Sequence, residues 1–218
     1  DLTRIAEEGN RSHFKRLLEE AWRRESPEDE ESLDYTPTHA VLVNLPIIGE
    51  LPPLSARFEH VTAFEFKGSI TTTQVDGTLK NFTELQSLNV SHCTLERLPT
   101  AIFAMPKLTS LELSHCAIRL TPATARTVSD LHSLEFLDLS NNPLGLPPAI
   151  GHLPELMTLM LNRTDITQWP EGLFSIPRPK AFNLNLLGNE ISAVPDYLPE
   201  SAEAWVVANA RLERQKLD

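Results

Sequence analysis

Beginning at Leu85, one spacing of apolar residues is used three times in succession. It reads Leu85, Leu88, Val90, Cys93 and Leu95, then Leu108, Leu111, Leu113, Cys116 and Ile118, then Leu134, Leu137, Leu139, Asn142 and Leu144. The same offsets continue more loosely through Leu156, Leu159, Leu161, Thr164 and Ile166, through Ala181, Leu184, Leu186, Asn189 and Ile191, and into Ala202, Trp205, Val207, Ala210 and Leu212. Two weaker copies stand upstream, one with Val61, Phe64, Phe66 and Ser69, the other with Thr38, Val41, Val43, Pro46 and Ile48. The units start at 38, 61, 85, 108, 134, 156, 181 and 202, so they are 21 to 26 residues long. A chain that repeats at this period does not wrap a single core; each unit buries its apolar side only against its neighbours.

Within a unit, the fourth and sixth residues alternate along a short strand and point the same way, into the stack. The ninth residue follows the strand and turns inward. An asparagine there can bond its amide to backbone groups of adjacent turns, and Cys or Thr is the smaller substitute. Cys93, Cys116, Asn142, Thr164 and Asn189 hold this position. The spacing matches the leucine-rich repeat, and the expected fold is an α/β leucine-rich-repeat solenoid of about eight repeats, with a parallel β-sheet on its concave face. After the strands, Leu98-Pro99, Leu146-Pro147 and Trp169-Pro170 mark tight return turns. The longest unit, from Leu108, has room for a helix from Pro122 to Leu131.

Ahead of the repeats, Ser12 reads as the cap of an amphipathic helix whose apolar stripe is Phe14, Leu17, Leu18, Ala21 and Trp22. A solenoid leaves its first repeat with an open apolar end, so this helix is expected to cap it, with Phe14 and Trp22 as core contacts. Residues 26–37 are strongly acidic and read as a solvated linker. The domain reading is therefore a capping helix and linker over 1–37, the repeats over 38–212, and the start of a further linker over 213–218. A start at Asp1 rather than Met fits a fragment or a processed form.

The formal net charge of −11 repels phosphate backbones and anionic lipid, so neither nucleic acid nor membrane is an expected partner. No phosphate loop, nucleophile elbow or H-E-x-x-H motif occurs, so no catalytic residue, cofactor or metal is expected. His92 and His115 fall at the same position of adjacent repeats and would stack, but two imidazoles fall short of the three or four ligands zinc needs. The two cysteines are expected as free ladder thiols, which suits a reducing compartment. Four glycosylation sequons begin at Asn10, Asn81, Asn89 and Asn162 and are discounted, since two would lie in strands.

The remaining chemistry lies on the residues that face out of the sheet. Position 5 runs Leu42, Glu65, Asn89, Glu112, Asp138, Met160, Asn185, Val206, and position 8 includes His92, His115, Asn141 and Arg163. An acidic middle, with Phe136, Met157, Met160 and Phe182 as apolar anchors, suits a protein partner with a basic patch. The candidate binding residues are Glu65, Asn89, His92, Glu112, His115, Phe136, Asp138, Asn141, Met160, Arg163 and Asn185. A monomer is expected.

Several segments also resemble the repeat regions of bacterial effector toxins that carry a C-terminal ubiquitin-ligase domain of the NEL type. The segments Glu50-Leu-Pro-Pro-Leu-Ser-Ala-Arg-Phe58 and Val194-Pro-Asp-Tyr-Leu-Pro-Glu-Ser201 are similar to that group's Leu-Pro-x-x-Leu-Pro linker, as is Leu134–Gly145 to its repeats. In that family the ligase cysteine sits in a Cys-x-Asp motif downstream of the repeats. Here Cys93-Thr-Leu and Cys116-Ala-Ile lack it, so no catalytic residue carries over. The resemblance implies a target-recognition module, one that could also fold back on its own ligase domain, secreted by a bacterium into the host cytoplasm. The alternative function is a stand-alone intracellular repeat scaffold or adaptor with no enzymatic partner domain, and the alternative location is the bacterial cytoplasm.

Overall fold

The computed structural model describes residues 2–24, 39–197 and 199–213. The acidic stretch 26–37 and residues 214–218, expected as linkers, lie outside the described residues. Helix α1 (Leu2–Arg23) comes first, followed by β1 (Ala40–Asn44), β2 (Gly49–Glu50), β3 (Ala63–Lys67), β4 (Thr72–Gln74), α2 (Asp76–Leu79) and β5 (Ser87–Ser91). Then come β6 (Ser110–Glu112), α3 (Pro122–Thr127), β7 (Phe136–Asp138), β8 (Thr158–Met160), β9 (Asn183–Asn185) and α4 (Ala202–Asn209). Among the described residues, β1, β3, β5, β6, β7, β8 and β9 form one parallel sheet in that order. One strand per repeat, stacked in sequence order, is what a right-handed chain of short crossovers produces.

Alternation along these strands sets the register. In β3 Phe64 and Phe66 are buried while Glu65 and Lys67 face solvent, and β1 repeats this with Val41 and Val43 inside and Leu42 outside. Partner residues keep the repeat positions: Glu65 lies beside Asn89, Asn89 beside Glu112, Glu112 beside Asp138, and Asp138 beside Met160. Leu88, Leu111, Leu137, Leu159 and Leu184 form the buried row beneath them, each at most 1% exposed. The return paths are short. Thr100–Ala104 and Val128–Asp130 are 3-10 turns, and α3 starts with a capping box in which the Thr121 hydroxyl accepts from the Thr124 N–H.

The inward ladder is present where asparagine supplies it. The Asn142 Oδ1 accepts the N–H groups of Cys116 and Ile118 at 2.9 and 3.1 Å, and its Nδ2 donates to the carbonyls of Leu113 and Leu139. Asn189 repeats this two repeats further on, accepting from Thr164 and Ile166 and donating to Leu161 and Leu186. Cys116 and Thr164 fill the ladder position of the repeat before each asparagine, with single side-chain donors to the carbonyls of Val90 and Ser114 and of Leu161. Ser69, read as the ladder residue of its repeat, is not the buried one. Thr72 is, with its hydroxyl donating to the Ile47 carbonyl.

Helix α1 packs on β1 and differs from its reading in two ways. It begins ten residues before Ser12, whose hydroxyl bonds back to the Glu8 carbonyl in mid-helix rather than capping anything. Phe14 and Leu18 are buried as expected, but Trp22 is 55% exposed; in the last turn it is Ala21 that packs against the core, with its carbonyl meeting the His60 ring. What holds α1 down is polar as well as apolar. Glu7 accepts the Ile48 N–H and the Arg11 guanidinium, while Arg11 donates to the carbonyls of Ile48 and Glu50.

The far end also departs from the repeat reading. The repeat offsets predict a last repeat over 202–212, yet Ala202–Asn209 is a helix, capped by the Ser201 side chain accepting from the Ala204 N–H. Its Val206, Val207 and Ala210 are buried, and only Arg211 rejoins the sheet, bridging to Asn185.

Candidate protein-binding face

The strands put position 5 of each repeat on the outer face, one residue per strand, at the ~4.8 Å spacing of neighbouring strands. Leu42, 64% exposed, begins the row and Met160 stands near its end, with Glu65, Asn89, Glu112 and Asp138 between. Asn89 Nδ2 donates to Glu112 Oε2 at 3.2 Å, and Asp138 Oδ1 accepts the Ser140 N–H at 2.8 Å. These bonds fix two of the carboxylates in place. Burial raises the Glu112 pKa above its ordinary value, with Asp138 and Glu65 adding like-charge repulsion. The three acids therefore share one field.

Position 8 forms a second row beside the first. His92, His115, Asn141 and Arg163 all have left-handed backbones, with φ between 54° and 59°. That turn swings each side chain to the rim of the face. The His92 and His115 rings stack at 4.8 Å between centroids and 8° between planes. Burial lowers the His92 pKa below the ordinary histidine value, followed by the neighbouring His115 and Lys67 charges. The row cannot extend to β3, where Gly68 holds the position. A Cβ there would meet the Phe66 ring, the Cys93 sulfur and the Thr72 hydroxyl at 2.6 to 2.9 Å. No group of three or more His, Cys, Asp or Glu able to hold a metal occurs among the described residues.

Most of the expected binding residues and apolar anchors reach this face; one of each, Asn185 and Phe182, does not. Phe136 and Met160 are half-buried, Met157 is exposed, and Arg163 lies at the rim with its chain over Gly188. Asn185 is 5% exposed, its Oδ1 accepting the Leu187 N–H while Arg211 pairs with its backbone. Phe182 is 4% exposed, beneath the Arg178 guanidinium. The terminal segment covers Asn185, and Phe182 turns inward in place of the exposed Ala181, so both leave the accessible strip.

Neither cysteine offers a nucleophile at this surface. Cys93 and Cys116 are free thiols, 2% and 0% exposed, on neighbouring turns of the ladder. The hydrogen bond between them, then burial, pushes the Cys116 thiol far up, and the same bond holds the Cys93 thiol down. A thiol without access to solvent has no route to a substrate.

Arg178 was not singled out by sequence reasoning. It is 7% exposed and donates to the carbonyls of Leu173, Leu153 and Ile150, pinning two return turns together, and burial lowers its pKa. A lone arginine in a repeat of otherwise apolar inward residues is the signal that marks it. No helix among the described residues is long and apolar enough to cross a membrane.

Comparison with known proteins bears on the repeats. The family model for the leucine rich repeat matches residues 83–144. No curated protein matches the sequence. Among solved structures, an internalin (InlF) from Listeria monocytogenes is similar at 19% identity and a TM-score of 0.48, over 76% of this chain and 47% of that one. The chain thus spans about half the length of that internalin. With one strand per repeat in a single parallel sheet, inward asparagines at Asn142 and Asn189 and an N-terminal helix, the chain folds as an α/β leucine-rich-repeat solenoid, a fold that suits a protein-interaction module.

Proposed function

We propose that the outer sheet face recognises a host protein through a basic patch, and that this recognition serves a bacterial effector ubiquitin ligase whose catalytic domain lies outside these residues. One observation carries the binding surface: Glu65, Glu112 and Asp138 stand in register on one row, next to Phe136 and Met160. Aligned carboxylates steer a cationic partner and raise its association rate, while the half-buried Phe136 and Met160 supply apolar contact. The ligase attribution is supported by the resemblance of Glu50–Phe58, Leu134–Gly145 and Val194–Ser201 to that effector group. In this reading the protein is delivered to the host cytoplasm, acts as a monomer, and can also contact its own ligase domain. The isolated chain then transfers no ubiquitin, since both thiols are ladder residues.

The test is affinity capture from host lysate with three baits: the native chain, the triple variant Glu65→Lys, Glu112→Lys, Asp138→Lys, and the return-turn variant Arg126→Ala, Glu171→Ala. Loss of specific partners from the triple variant alone supports the surface. Equal capture by all three moves recognition to an edge or to α1. The complete reading frame tests the ligase: a downstream helical domain with Cys-x-Asp supports it, and a frame without one leaves a stand-alone scaffold.

A further inference from the structure

The outer row has a periodicity that selects among basic partners. Its order is apolar, acid, amide, acid, acid, apolar: Leu42, Glu65, Asn89, Glu112, Asp138, Met160, one residue per strand. Strands stand ~4.8 Å apart, so Glu112, Asp138 and Met160 fall roughly 9.6, 14.4 and 19.2 Å from Glu65. Along an α-helix, residues i+7, i+11 and i+14 return to the face of residue i at roughly 10.5, 16.5 and 21 Å. The mismatch stays near 2 Å, within the reach of lysine or arginine side chains. An extended chain laid along the same row presents a side chain to it every ~6.7 Å, which comes within roughly 1 Å of Asp138 and Met160 but misses Glu112, the central carboxylate, by roughly 3 Å where the helix misses it by roughly 1 Å.

The flanks of the row restrict the partner further. On one side, Lys67, the His92–His115 stack and Arg163 form a rim with cationic ends that would repel a second basic stripe. On the other, Ser87, Ser110, Phe136 and Thr158 continue in register with little charge and one large ring. A helix seated on the row would therefore turn its basic stripe to the carboxylates and its apolar edge toward Phe136 and Met157.

We infer that the outer face is a docking site for a cationic amphipathic helix lying along the solenoid axis, with basic residues at i, i+7 and i+11 and apolar residues at i−4 and i+14. This rests on the reading of the same face as a basic-partner surface and names the class of partner. Leu42 and Met160 take the two apolar ends, and Glu65, Glu112 and Asp138 take the three cations. The Asn89 bond to Glu112 holds the central carboxylate ready for its partner.

The test uses the full chain and three synthetic peptides of about 20 residues on an Ala/Gln background, measured by fluorescence anisotropy with circular dichroism of the bound peptide. The first carries lysines at i, i+7 and i+11 and leucines at i−4 and i+14. The second has the same composition with its lysines spread around the helix. The third keeps the pattern but has two central prolines that forbid a helix. The expected result is saturable binding of the first with a gain in helicity, and at least tenfold weaker binding of the other two. Glu112→Lys should cost at least tenfold, and Arg126→Ala nothing. Equal binding of the permuted peptide would overturn the inference in favour of bulk charge, and equal binding of the proline peptide in favour of an extended segment. If no peptide binds while lysate capture still fails for the triple variant, the helix class is wrong and the recognition face stands.

Discussion

The two ends of the solenoid satisfy the same backbone requirement by different chemistry. Between Leu113 and Asn189, turns that leave the sheet are held by asparagine amides, each spanning two repeats with at least four hydrogen bonds. Between β1 and α2 no asparagine fills the ladder position, although Asn81 donates to the carbonyls of Leu54 and Ala56 on the return path. Instead β2 pairs with β4 in a second small parallel sheet, and Thr72 and Thr78 donate to the carbonyls of Ile47 and Pro52. The cores differ as well. Phe58 and Phe82 stack at 4.4 Å, Phe64 meets Phe82 edge-on, and Phe14 of the capping helix meets Phe66, whereas the later repeats are filled by leucine and isoleucine. Every buried N–H and C=O must find a partner, but the partner can be a side chain or another strand. The N-terminal units use bulk and extra strand pairing where the later ones use a specific residue.

The largest predicted loss comes from the aromatic end. Phe82→Ala removes a fully buried ring shared by Phe58 and Phe64, and should cost about 4 kcal/mol in denaturant unfolding, from lost transfer energy and the cavity left behind. Asn142→Ala should follow at about 3 kcal/mol, since it strands two N–H groups and two carbonyls in a dry interior. The neighbouring Cys116→Ala should cost only about 1 kcal/mol, because a thiol is a weak donor. If the Asn142 and Cys116 variants lose the same amount, the ladder is not what distinguishes the later repeats.

Smaller effects refine the contrast. Ala117 has a left-handed backbone, φ 54°, as does Asp165 at the same position two repeats further on, φ 57°. Ala117→Gly should therefore stabilise by about 1 kcal/mol, visible as a raised midpoint of unfolding. For Glu112 the sign follows from its raised pKa: the folded state keeps a proton where the unfolded chain has lost it, so this group destabilises as pH rises through that window. Glu112→Gln should raise the melting temperature at neutral pH, and the gain should vanish at pH low enough to protonate Glu112 in both states.

How much of this could be read from the chain alone differs region by region. The row from Leu88 to Leu184 was legible because a two-residue alternation inside a fixed period leaves one register that buries leucine. The strip of Glu65, Glu112 and Asp138 came with it, since position 5 is set once positions 4 and 6 are. The pairing of β2 with β4 was not, because strands of two and three residues carry no period of their own. Residues 202–212 misled for a different reason: Ala202, Trp205, Val207 and Ala210 fit repeat offsets, while Ser201 ahead of Ala-Glu-Ala marks a helix start, and the cap decided. Trp22 fits the helical spacing, but Ala21 takes the inward place in that turn, and Asn185 kept its register but lost its exposure to Arg211.

The measurement that bears most directly on the functional account is the association rate with a captured partner as a function of ionic strength. The native chain and the Arg126→Ala, Glu171→Ala variant should show the same fast rate, falling steeply as salt screens the carboxylate row. The Glu65→Lys, Glu112→Lys, Asp138→Lys variant should associate at least tenfold more slowly at low salt, with a rate that no longer falls as salt is added. A triple variant with the native rate and the native salt slope would contradict the account, because the three in-register carboxylates would then have no part in recognition.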